Sequence, residues 1–381
     1  MQIQAAPLFE DIAPGPAGGA AWWLKTADGV RIRIAAWPCD GADDTAHGAA
    51  DGPADTTSDG ASDGATRDGE VGAADTAPNN GTSAGAKGTV LLFPGRTEYV
   101  EKYGDAAREF AARGYATLAI DWRGQGLADR LVPDTRVGHV EWFSDYQIDT
   151  DAVVEALAHL DLPRPFHLIG HSMGGAIGLN ALMNGLDVAS ACFTGPMWGI
   201  SIAPVVRQIG WTLAVMAPKV GFGHKLPPST RYENYVTNTA FEGNALTRDR
   251  EMYDMMRAQI AAHPELAIGG PTLTWLREAL GITRAMAARP APALPCLTFV
   301  GAAEHIVDVE RIRTRMAAWP GGELVVIEFH RVPGETPPWL LEHVRAGREV
   351  FQAEIESAGF HFVEEITLPG LDDNYILRFV R

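Results

Sequence analysis

Ten residues, Phe166 to Gly175 (FHLIGHSMGG), constrain this chain more than any others. An apolar run enters Gly170-His171-Ser172-Met173-Gly174, a GxSxG pattern, and leaves through the helix-compatible Gly175-Ala176-Ile177-Gly178-Leu179-Asn180-Ala181-Leu182. The order is strand, tight turn, helix, with a serine at the apex. Gly170 and Gly174 flank a turn so sharp that side chains there would collide with the neighbouring strand and helix. The Ser172 hydroxyl is therefore expected to stand out on the turn. Serine alone is a weak nucleophile at neutral pH, so this geometry is useful only if a base, an acid to orient it and an oxyanion hole converge on that hydroxyl.

A chain of 381 residues holds one large domain with an insertion, or two domains, and 46% hydrophobic content is ample for a core. The formal charge of −17 argues against nucleic acid as a partner. The N-terminal MQIQAAPLFEDIAPGPAGG has no basic start followed by an apolar core, so no secretory signal is expected. Cys39, Cys192 and Cys296 are an odd set without metal-ligand spacing, and the last two lie in apolar segments and read as buried thiols. A reducing cytoplasm fits them. The longest charge-free run, Val188 to Val206, is broken by Gly195-Pro196, Gly199 and Pro204, which argues against a membrane-spanning helix.

Along the chain, residues 1–38 contain a hairpin, Trp22 to Ile34, turning at Asp28-Gly29 with period-two alternation after the turn. Residues 39–88 change abruptly to Ala, Gly, Asp, Thr and Ser; they carry ten acids against two bases and no aromatic residue. Such a segment buries too little apolar area to offset its ordering entropy and reads as a disordered acidic loop. Order resumes over 89–194: a strand Thr89–Phe93, a helix Tyr99–Arg113, a strand Tyr115–Ile120, a helix Ser144–Leu160, the strand Phe166–Ile169 and a strand Val188–Thr194. Strands alternating with helices imply right-handed crossovers and a mostly parallel sheet with helices on both faces. In such sheets the chemistry lies at the carboxyl ends of the strands. Residues 195–290 are too long for a crossover and read as an inserted helical cap, in which Trp198 to Val206 and Trp211 to Met216 are rich in apolar bulk. This stretch reads either as the packed face of the cap or as the lining of an acyl channel or a lipid contact. Residues 291–330 return to the sheet with strands Leu297–Val300 and Glu323–Phe329.

GHSMGG, LLFPGRTEYVEKYG and LAIDWRGQGLADR together resemble the α/β-hydrolase superfamily, specifically its monoacylglycerol lipase and lysophospholipase-like branch, of the serine aminopeptidase S33 type. The cap stretches NALTRDREMYDMM and HPELAIGGPTLTWL are similar to the same branch. The resemblance implies an α/β-hydrolase fold and a serine esterase needing no metal or organic cofactor. It makes Ser172 the nucleophile and the backbone N–H of Met173 one oxyanion donor. The second donor follows the first parallel strand; the family usually shows His-Gly there, this chain has Pro94-Gly95, and the donor falls to the N–H of Arg96. The family acid pattern Gly-x-x-Asp aligns with Gly301-Ala302-Ala303-Glu304, giving the acid position to Glu304 with Asp308 as the fallback. His305 reads as a loop residue and His171 as a wall of the site.

The base should follow the last strand, and His330 keeps the order serine, acid, histidine. The family pattern puts the histidine near position 332, where Val332 stands, and His343 is a poorer candidate. Residues 331–381 resemble instead the C-terminal end of class I SAM-dependent methyltransferases: a helix with HVRAG, then a hairpin from Ala358-Gly359-Phe360 to NYILRF. No Gly-x-Gly-x-x-Gly follows a strand, so methyl transfer has no cofactor site. Two readings stand: a carboxylic ester hydrolase acting on lysophospholipid or monoacylglycerol, with transient membrane-surface contact through the cap, or a binding protein of the same fold without a competent base.

Overall fold

The computed structural model describes residues 3–39, 85–202, 204–228, 230–301, 304–334, 336, 338, 341, 344–369, 371 and 373–381, with the backbone alone for 204–211. Most of the acidic segment expected to be disordered, and His343, lie outside the described residues.

The strands are β1 Ile3–Ala6, β2 Ala20–Lys25, β3 Arg31–Trp37, β4 Gly88–Phe93, β5 Tyr115–Asp121, β6 Phe166–His171, β7 Ser190–Thr194, β8 Cys296–Gly301, β9 Glu323–Phe329, β10 His361–Ile366 and β11 Asn374–Val380. They form one sheet in the order β1-β2-β3-β5-β4-β6-β7-β8-β9-β11-β10. The six strands from β5 to β9 are parallel, and antiparallel strands extend both edges. This is the α/β-hydrolase fold.

Burial explains which residues form the centre. Every residue of β4 is buried, as a strand covered on both faces requires, and its sequence GTVLLF is correspondingly unalternating. The helices are α1 Gly104–Ala111, α2 Asp145–Leu160, α3 Met173–Met183, α4 Pro204–Lys219, α5 Tyr235–Asn238, α6 Arg250–Ala262, α7 Leu273–Ala287 and α8 Val309–Ala317, with a further helix at Arg348–Ser357. Buried along all but its last residue, α3 is apolar apart from Asn180.

The expected helix from Tyr99 begins instead as a 3-10 turn, Val100–Tyr103, before α1. There the amide of Val100 donates to Asp121 Oδ1 at 2.9 Å, outside any helical ladder. Cys296 is buried as expected, whereas Cys192 is only partly so; burial pushes both thiols up to about 12.

Between β7 and β8, α4 packs against α7 through Ala214, Ala217 and Leu273. Its side chains thus divide, because Leu213 and Met216 stay exposed. Trp198 does not belong to the cap surface: it is buried in the main core, stacked on Trp319 and edge-on to Phe193. A parallel bridge, Gly138 to Pro271, ties α7 to the core, supported by His139 Nδ1 at 2.9 Å from Thr272 Oγ1.

After β9 the chain keeps adding to the same sheet. Tyr375, Ile376, Leu377 and Phe379 of β11 are buried, as are Phe351, Ile355 and Phe360. The expected helical HVRAG is not helical over its described residues: Gly347, extended at φ −77°, ψ 170°, caps the helix that starts at Arg348.

The edge hairpin is bound to the centre by charge. Arg33 of β3, fully buried, donates from Nε to Asp121 Oδ2 at 2.7 Å and from Nη1 and Nη2 to Glu101 at 2.7 and 2.8 Å. Replacing it leaves two carboxylates in the interior without a counter-charge. We expect Arg33→Met to destabilise the chain by about 3–5 kcal/mol in denaturant unfolding, and an unchanged midpoint would refute the role given to this cluster.

Candidate active site

Ser172 sits between β6 and α3 at φ 50°, ψ −115°, a backbone conformation that costs a non-glycine residue on the order of 1–3 kcal/mol. Its surroundings impose it. The Ser172 N–H donates to Thr194 O at 3.1 Å, and the amides of Gly175 and Met197 donate to the Ser172 carbonyl at 2.9 and 2.8 Å. A Cβ on Gly174 would lie 1.9 Å from the carbonyl oxygen of Phe93, and one on Gly170 would lie 2.9 Å from Cα of Gly175. The glycines of the motif thus let the end of β4 and the first turn of α3 touch backbone to backbone. Met173, first residue of α3, has an amide with no partner inside the helix.

The loop after β4 is held from behind by the DWRGQG segment. Trp122 Nε1 donates to Pro94 O at 3.1 Å, Gln125 Nε2 donates to Gly95 O at 2.8 Å, and Gln125 Oε1 accepts the Thr97 N–H at 3.3 Å. Gly95 gives its own N–H to Glu98 Oε2. Pro94 has none to give, and the Arg96 amide, like those of Glu98 and Tyr99, has no partner among the described residues.

Glu98 is buried and heavily engaged. Its carboxylate also accepts from Lys102 Nζ and Tyr103 Oη, and His171 Nε2 lies 3.7 Å from it. Burial alone would raise its pKa, but Lys102, His171 and the hydrogen bonds from Lys102 and Tyr103 outweigh that and hold the carboxyl at about 2. His171 is fixed on its other side, Nδ1 lying 2.8 Å from Thr194 Oγ1. It lines the cavity described below.

Glu304 follows β8, and its Oε1 accepts the N–H groups of Ile306 and Val307 at 2.5 and 3.1 Å. A Cβ on Gly195, just past β7, would lie 3.8 Å from its other oxygen. Asp308 instead caps α8, its Oδ1 accepting the Arg311 N–H at 3.2 Å. His305 is exposed.

Gly95, Arg96, His171, Ser172 and Glu304 line one cavity of about 310 Å³. Its cap-side wall is Val236, Leu246, Met252, Met256 and Ile260. The apolar lining therefore comes from α5, α6 and the segment between them rather than from the described side chains of α4. His330 does not line it. Its ring stands edge-on to Tyr375, centroids 5.5 Å apart, and its N–H donates to Asp373 O at 2.9 Å. Among the described residues no hydrogen bond joins His330 to Ser172 or Glu304. Nor do three or more His, Cys, Asp or Glu side chains gather anywhere among the described residues to hold a metal.

Residues 84–331 match the serine aminopeptidase S33 family, nearly two thirds of the chain. The chain belongs to that family. As an S33 hydrolase it is similar to lysophospholipase L2 of Escherichia coli K12, 32% identical over 256 residues that span 65% of this chain and 71% of the relative. It is 28% identical to the probable lysophospholipase L2 of Haemophilus influenzae, over 62% of this chain and 74% of that one. Among solved structures it shares its fold with a soluble variant of monoglyceride lipase from Saccharomyces cerevisiae, at a TM-score of 0.52, 15% identity, and coverage of 88% of this chain and 92% of that one. A thermostable carboxyl esterase from Bacillus coagulans matches at 0.53 and 12% identity, over 94% and 98%. Among the described residues of this S33 hydrolase no helix is long and apolar enough to cross a membrane.

Sequence reasoning did not single out Glu98, Gln125 or Trp122, although all three lie within the quoted motifs. The signal available was the four-residue Glu98 to Lys102 spacing, which fits an ion pair on a helical turn. Because the Glu98 pKa in the fold, about 2, lies below the ordinary 4.5, its stabilisation is complete above pH 4.5 and is lost as pH falls toward 2. It amounts to roughly 3 kcal/mol. We expect Glu98→Gln to be less stable at pH 7 and to lose less further stability across that window. Denaturation curves at pH 7, 4.5 and 3 that run parallel for the two proteins would contradict this.

Proposed function

We propose that this S33 hydrolase cleaves the carboxylic ester of lysophospholipids or monoacylglycerols through an acyl-enzyme, without metal or organic cofactor. The observation that carries the reading is the unpartnered Arg96 amide beside Ser172, in a cavity whose opposite wall is aliphatic. That wall suits an acyl chain, and a main-chain N–H pair suits the charge that develops on an ester oxygen. The lysophospholipase names of its relatives point the same way.

In this reading Ser172 Oγ attacks the carbonyl carbon while His330 takes its proton and Glu304 steadies the imidazolium. The carbonyl π electrons move onto the oxygen, which accepts hydrogen bonds donated by the N–H groups of Arg96 and Met173. When the intermediate collapses, the bond to the glycerol oxygen breaks and His330 returns the proton to that oxygen. Water, deprotonated by His330, then repeats the attack on the acyl-serine and releases the fatty acid. For this the His330 side chain must leave Tyr375 and enter the cavity. Its place at the end of β9, the strand beside the one that leads to Glu304, supports that move.

The ring packing of His330 favours a second reading, a binding protein that kept the pocket without a working base. A fluorophosphonate probe separates the two. Stoichiometric labelling that vanishes in Ser172→Ala supports the hydrolase, and no labelling of folded wild type supports the binder. On a panel of lysophospholipids, monoacylglycerols and short esters, His330→Ala should lower kcat by about 10³ or more, and a change under about tenfold would remove His330 from the role of base.

The exposed Leu213, Met216, Val220 and Phe222 on and just after α4 support transient contact of the cap with a lipid surface. Met216→Asp with Phe222→Asp should weaken cosedimentation with zwitterionic vesicles about tenfold or more. Equal cosedimentation of the double variant would exclude this contact.

A further inference from the structure

Two cationic residues, Arg96 and Lys102, line the cavity beside Ser172, and among the described residues only Lys102 is paired with a carboxylate. Lys102 is spent on Glu98. The other cation, Arg96, pairs with no carboxylate among the described residues. The two carboxylates of the cavity are both engaged elsewhere: Glu98 by Lys102, Tyr103 and the Gly95 amide, Glu304 by the amides of Ile306 and Val307. Among the described residues the guanidinium makes one hydrogen bond, Nη1 to Gly269 O at 2.9 Å, and it lies 5.8 Å from the Trp275 ring centroid. Burial pushes its pKa down to about 10, so it is charged at neutral pH but poorly compensated. Arg33 and Arg123 show the contrast, each held between two carboxylates.

We propose that the Arg96 guanidinium receives the phosphate of a glycerophospholipid headgroup, which makes the substrate a lysophospholipid rather than a neutral monoacylglycerol. The inference rests on the ester-hydrolase reading above and sharpens it. Covalent reach supports it. The ester carbonyl carbon and the phosphorus of a 1-acyl lysophospholipid are separated by as many bonds as the backbone nitrogen and Cζ of Arg96. One residue can thus hold the substrate at both ends, its amide on the carbonyl oxygen and its remaining guanidinium N–H groups on the phosphate. Arginine suits this better than lysine, because its planar fork meets two phosphate oxygens at once.

The test compares 1-oleoyl lysophosphatidylcholine with 1-oleoylglycerol, which share the acyl chain, on the full chain. Arg96→Met should lower the ratio of kcat/KM for the phospholipid to that for the glyceride by about tenfold or more, chiefly through KM, with Arg96→Lys recovering part of it. The ratio cancels any loss common to both substrates from disturbance of the amide. A ratio unchanged within about twofold while both lipids are hydrolysed overturns the Arg96 assignment and leaves the hydrolase reading standing. Calorimetry decides independently of turnover, and of whether the variant folds. Wild type should bind glycerol 3-phosphate more tightly than glycerol or inorganic phosphate, and more tightly than a folded Arg96→Met does. Equal binding of glycerol 3-phosphate and glycerol overturns the proposal, and so does inorganic phosphate binding as tightly as glycerol 3-phosphate, which would mark a free-anion site. Binding of glycerol 3-phosphate by a protein that hydrolyses neither lipid would sustain the anion site and refute the hydrolase reading.

Discussion

One contact fixes everything else at this site: Cα of Gly174 lies where any side chain would strike the carbonyl of Phe93. It presses the first turn of α3 against the end of β4, so the serine that precedes that turn and the loop that follows that strand share one frame. The strained backbone of Ser172 is a consequence. With α3 drawn onto β4 and Thr194 O holding the serine amide from β7, the left-handed conformation is the one in which the strand can turn into the helix. Gln125 and Trp122 then hold the loop from the side away from the serine. The amide of Arg96 stays free because its neighbours on either side are claimed.

Charge is distributed with similar economy. Arg33 joins β3 to Glu101 and Asp121, while Asp121 also accepts the amides of Val100 and Leu127. The N-terminal hairpin, remote in sequence from the serine, is thereby bound to the helical turn that follows the loop after β4. Arg123 does the same between the turn at Asp28 and helix α2 through Asp149. Buried ion pairs of this kind add little net stability against an apolar alternative, but they penalise any arrangement that separates the partners. Their effect here is to fix the register of hairpin, loop and helix.

The parallel centre of the fold was legible because fully buried strands and the strand-turn-helix of GHSMGG leave local traces. Ser172, Glu304 and Arg96 were legible by position, and the structure gathers them around one cavity. Glu98 was not, since its meaning lies in what its carboxylate accepts, and hydrogen bonds converging on one oxygen leave no periodicity. The apolar bulk of residues 198–206 and 211–216 reads either as the packed face of the cap or as the lining of an acyl channel, because hydrophobicity does not say which surface a residue packs against. Trp198 went to the core and Met216 to the surface, while Val236 and Met256 face the cavity from less conspicuous segments. The tail after residue 331 reads as foreign to the motif pattern, yet its hydrophobic strand Asn374–Val380 pairs along the whole of β9.

That pairing has a mechanical meaning for position 330. The ladder between β9 and β11 runs from Glu323 opposite Val380 to Phe329 opposite Asn374, and the amide of His330 adds one more rung to Asp373. The stretch between Arg331 and Asp373, which includes the helix Arg348–Ser357 and β10, thus has its two feet side by side on adjacent strands. The imidazole of residue 330 consequently swings on its own two side-chain torsions from a backbone tied to β11 by that rung.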